Sequence, residues 1–141
     1  MRACAESLIK VIGEEGPIFA YGSYEKTVLN ALIARYSDLA EDLHKLKERL
    51  VDLLSIVRKT YYHPDMRGSW SIKKVVPTMA PHLNYGSLGD VQDGNAAGTT
   101  YLQIINPETD AAECQRLTHE LLAYCEHDTL AMVELVKYLS K

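Results

Sequence analysis

No excess of positive charge runs through this 141-residue sequence: 15 Lys and Arg stand against 19 Asp and Glu, a net charge of -4. Binding nucleic acid by bulk cationic charge is therefore disfavoured, whereas a local basic patch or an acidic metal site is not. No apolar run reaches the length needed to cross a bilayer, and the opening MRACAESLIK lacks the layout of a signal peptide. Cysteine is scarce and odd in number: Cys4, Cys114 and Cys125. The last two fall on one predicted helical run, about 16 Å apart along its axis, too far to bridge. Free thiols fit a reducing cytoplasm, so the expectation is a cytoplasmic protein with no membrane partner.

Signatures of several chemistries are also missing. There is no Gly-x-Ser-x-Gly elbow, no cysteine flanked by a glycine turn and no phosphate-binding glycine loop. Cys114, His119, Cys125 and His127 match none of the paired spacings of structural zinc sites. No repeat, low-complexity tract or linker interrupts the chain. Its length is that of one domain with a modest core, residues 1–141.

What is present is mostly helical. Residues 3–14 have Leu8, Ile9 and Ile12 on one side and Glu6, Lys10 and Glu14 on the other, an amphipathic helix ended by Gly16 and Pro17. The run Pro17–Tyr21 is short and continuously apolar, which suits a buried parallel strand. Gly22 and Ser23 make the turn, with Ser23 placed to cap a helix carrying Val28, Leu29, Leu32, Ile33 and Tyr36. Ser37 is placed to cap a helix over Asp38–Glu48. The run Leu50–Leu54 reads as a second buried strand, with Asp52 either bonded to a neighbouring turn or lining a cleft. Helices are then expected over residues 71–80 and 94–105, separated by a loop from His82 to Gly94. Asn106 and Pro107 offer a helix start, and Glu108–Lys141 is helical with one break near His127.

Three features carry chemistry. In LLAYCEHDTLAM, from Leu121 to Met132, Tyr124 and Asp128 lie four residues apart and share a helix face among apolar neighbours. An unpartnered buried carboxylate is costly, which makes Asp128 a candidate; the plainer reading is a surface Asp beside a half-buried Tyr. Glu25 opens a helix at the carboxyl end of a strand, where open α/β sheets place their sites; it also serves simply to complement the helix dipole. Third, Arg58–Lys74 holds Arg58, Lys59, Arg67, Lys73 and Lys74 with Tyr61, Tyr62 and Trp70. Basic residues interleaved with aromatics are what single-strand nucleic-acid grooves use, and a solvated loop with rings packed on the core is the competing reading.

Together the blocks AYGSYEKTVL, YYHPDMRGSWSIKKVVP, GDVQDGNAA and YCEHDTLAM resemble the bacterial domain-of-unknown-function family DUF2779 over essentially the whole chain. That family is in turn similar to a divergent branch of the DnaQ-like, or DEDD, 3′–5′ exonucleases within the ribonuclease H-like fold. The resemblance implies that Asp128 is the acid of the third exonuclease motif, Tyr124 its water-positioning Tyr, and Glu25 the stand-in for the Asp of the second motif. Mg²⁺ or Mn²⁺ would be held by Glu25 and Asp128, and nucleic acid by Arg67, Trp70, Lys73 and Lys74.

Departures from the pattern matter. Glu is one methylene longer than Asp, a shift in reach of about 1.5 Å in a geometry that metals hold strictly. Tyr21 stands where the second motif commonly has Asn. The first motif, Asp-x-Glu on the opening strand, has no counterpart in these residues, and the family carries it upstream. The resemblance therefore implies an α/β chain, the helix-rich C-terminal part of a ribonuclease H-like fold with a small parallel sheet. It implies a nuclease-like domain that is inactive in this form, or a non-catalytic interaction module on the same fold. A sheet that has lost its opening strand exposes an edge, so a homo-oligomer through that edge is expected.

Overall fold

A computed structural model describes residues 1–83, 91 and 94–141 of the chain. The fold is helix-rich α/β and divides into two compact units, Met1–Tyr62 and His63–Lys141.

In the first unit, α1 (Arg2–Ile12) leads to strand β1 (Ile18–Ala20), then α2 (Tyr24–Arg35), a 3₁₀ turn (Ser37–Leu39), α3 (Ala40–Glu48), strand β2 (Leu50–Asp52) and α4 (Leu53–Thr60). The strands are parallel, in the register Ile18↔Leu50, Phe19↔Val51 and Ala20↔Asp52. Parallel neighbours need a long crossover, and α2 and α3 supply it. The core closes where the apolar faces meet: Ala5, Leu29, Leu32, Leu43 and Leu46 are buried, with Leu8, Ile12, Val28 and Leu50 packed against them. Fully burying one such side chain stabilises by about 1.5–3 kcal/mol.

Polar side chains fix the loops around this core. The Arg49 guanidinium donates to the backbone carbonyls of Gly13, Glu15 and Gly16, tying the α1–β1 connection to the end of α3. Arg2 donates to Glu6 and Asp38 and lies 5.7 Å from the centre of the Tyr36 ring.

Several sequence expectations are corrected here. The second strand ends at Asp52, not Leu54, because Asp52 caps a helix that the apolar run conceals: its Oδ1 accepts from Leu54 N–H at 3.0 Å. Ser23 sits at the start of α2 but its side chain makes no capping bond; its carbonyl accepts from Thr27 instead. Ser37 opens a 3₁₀ turn, and the α-helix proper begins at Ala40.

In the second unit a 3₁₀ turn (Pro64–Met66) precedes α5 (Ile72–Met79), α6 (Gly94–Ile104) and α7 (Ala111–Leu139). Arg67 adopts a left-handed backbone, φ 49°, followed by Gly68 at φ 77°, which reverses the chain into Trp70. Helices α5 and α6 both pack on α7. Buried Val75, Val76, Met66, Leu117, Ala131 and Leu135 form the interior.

Helix α7 starts at Ala111, not at Pro107. The Asp110 carboxylate accepts from Ala112 N–H and Glu113 N–H, both at 3.0 Å, whereas Asn106 closes a turn by accepting from Glu108 N–H. Two amide bonds to an ionised cap outcompete the Asn-Pro start. The helix runs unbroken through His127. Of the expected His82–Gly94 loop, residues 84–90, 92 and 93 lie outside the described residues. No helix among the described residues is long and apolar enough to cross a membrane.

Candidate functional site

The sequence-predicted residues divide between the two units. Glu25 lies in the first turn of α2, exposed, at the mouth of an apolar cavity of about 220 Å³ whose walls include Leu8, Ile12, Phe19, Tyr24 and Leu50. Tyr124 and Asp128 belong to α7 in the second unit.

On α7 the buried residues Leu117, Tyr124, Ala131 and Leu135 follow a seven-residue spacing with one further turn, which defines the inward face. Tyr124 is 8% exposed, and Asp128, one turn on, is half-buried. Helical geometry thus places a phenol and a carboxylate side by side on the interior edge of the helix. The third member is Lys73 of α5: its Nζ lies 5.8 Å from the centre of the Tyr124 ring. A cation over an aromatic face contributes about 0.5–2 kcal/mol, rising with desolvation. Lys73 is half-buried there and Lys74 is exposed, so the two neighbouring lysines do different things. Arg67 is exposed on its left-handed turn, and Trp70 is half-buried just ahead of α5.

At the carboxyl ends of the strands, Asp52 is a structural hub. Its Oδ1 accepts from Gly22 N–H at 2.8 Å as well as from Leu54 N–H, and its Oδ2 accepts from the Ser55 hydroxyl at 2.6 Å. Partial burial disfavours the Asp52 charge, but the Ser55 hydroxyl and the Gly22 and Leu54 amides outweigh it and hold the pKa below the ordinary carboxylate range. Of the two sequence readings of Asp52, the bond to a neighbouring turn is the observed one. Nearby, burial pushes the Tyr21 phenol up to about 12, with Arg58 opposing and Asp52 adding to the shift, so Tyr21 is a neutral donor at physiological pH. The sequence reading gave a neighbouring turn as the partner without naming Gly22, and it missed that Asp52 also caps α4. The Asp-x-x-Ser spacing of Asp52 and Ser55 is the signal of a helix cap that was there to be read.

The donor set tests the metal expectation. Among the described residues, no three His, Cys, Asp or Glu side chains gather in a way that holds a metal ion. Glu25 and Asp128 supply two carboxylates from different units, and two-metal phosphodiester chemistry needs several around ions about 4 Å apart. The described residues do not fit a resident Mg²⁺ or Mn²⁺. What they do bring together is a buried phenol, a carboxylate one turn on and a lysine ammonium over the ring.

A family model described as a domain of unknown function, DUF2779, matches residues 1–71 of the 141. The match covers the first unit and the basic turn as far as Ser71, and ends before α5, α6 and α7. No curated protein matches the chain. No solved structure matches it either.

Proposed function

Because the chain belongs to the DUF2779 family, a domain of unknown function, we propose that it is a nuclease-like module for nucleic-acid phosphodiesters on a ribonuclease H-like, DnaQ-related fold. The observation that carries the reading is the Lys73–Tyr124–Asp128 cluster on the inward face of α7. Asp128 would be an acid of the reaction centre, Tyr124 would orient the attacking water, and Lys73 would hold the ring in place while drawing in an anionic backbone. Arg67, Trp70 and Lys74 would guide a single strand, the charges following phosphates and the ring stacking on a base. Mg²⁺ or Mn²⁺ is the cofactor class this chemistry uses, and the described residues do not form its site.

The second reading, a non-catalytic interaction module, is favoured by that same shortage of carboxylates. A labelled single-stranded oligonucleotide with Mn²⁺ separates the two. The chain alone is expected to show little or no cleavage. A form extended at its N-terminus by a strand carrying Asp-x-Glu should cleave, and Asp128→Asn in that form should abolish turnover while preserving the fold. Cleavage in none of the forms would leave the interaction module standing and sink the nuclease reading.

A further inference from the structure

We draw no further inference here: the strongest candidate, the apolar cavity of the first unit between α1, β1 and α2 with exposed Phe19 and Tyr24 at its rim, is an unpartnered apolar face, and nothing in the structure shows what covers it.

Discussion

The two units solve the problem of burying a helix face in different ways. The first closes a core of small and branched residues over a parallel strand pair and ties its loops down with Asp52 and Arg49, whose partners are backbone groups. The second relies on one 29-residue helix, α7, as the platform on which α5 and α6 pack. In the first unit, polar side chains serve mainly to fix turns. In the second, the half-buried Asp128 sits one turn from the buried Tyr124 phenol on the same helix. That difference is why the Asp52 carboxylate is structural, with backbone and hydroxyl partners in the turn and cap it fixes, whereas Asp128 enters only the proposed function.

The contrast is broken most severely through the cores. Leu43→Ala in α3 removes a fully buried side chain and should cost about 2–5 kcal/mol, read as a lower urea midpoint. Leu135→Ala in α7, equally buried, should cost a similar amount. A loss below about 1 kcal/mol at either position would mean that the surrounding residues collapse freely and that the core assignment is wrong.

Asp52 comes next. Asp52→Ala removes a helix cap and the tie to Gly22, and about 1–2 kcal/mol is expected to go with it. The sign with pH follows from its lowered pKa. The contribution is fully present above the unfolded-state carboxylate value and fades as pH falls through the lower folded value. The difference between wild type and Asp52→Ala should therefore be largest near neutral pH and shrink towards pH of about 3 or below. A difference that grows on acidification would show that the carboxylate is not held in its charged form.

A smaller effect sharpens the other side of the comparison. Lys73→Met keeps most of the aliphatic stem and removes the charge over Tyr124, which should cost about 0.5–2 kcal/mol. Lys74→Met, with no such ring contact described and an exposed side chain, should stay within about 0.5 kcal/mol of wild type. For binding, the order should reverse in character: Lys74→Glu should weaken oligonucleotide association and flatten its salt dependence. Trp70→Ala should remove about 1–3 kcal/mol of stacking. If Trp70→Ala instead unfolds the second unit and leaves binding untouched, the ring belongs to the core.

How much of this was legible in the sequence depended on whether local rules and tertiary contacts agreed. Helix α1, the strand at Ile18 and helix α6 came within two residues of their observed bounds, because period, glycine and proline all pointed the same way. The run Leu50–Leu54 did not, since a short apolar stretch reads equally as strand or helix. Only the bonds Asp52 makes to Leu54 and Ser55 decide where one becomes the other. Asn106 and Asp110 competed for one helix start, and the charged side chain won with two amide bonds. Tyr124 and Asp128 on one face followed from their spacing. Lys73 over the Tyr124 ring did not, because nothing local to residues 58–74 announces a partner on a distant helix.

The account holds that the described residues gather no set of side chains that holds a divalent ion. Thermal denaturation of the chain with increasing Mn²⁺ tests that claim most directly, because an ion bound only by the native state raises its stability in proportion to site occupancy. A midpoint that Mn²⁺ leaves in place, equally in wild type and in Asp128→Asn, is the expected result. A saturable rise in midpoint that disappears with Asp128→Asn would contradict it, showing that this chain by itself assembles a metal site around Asp128.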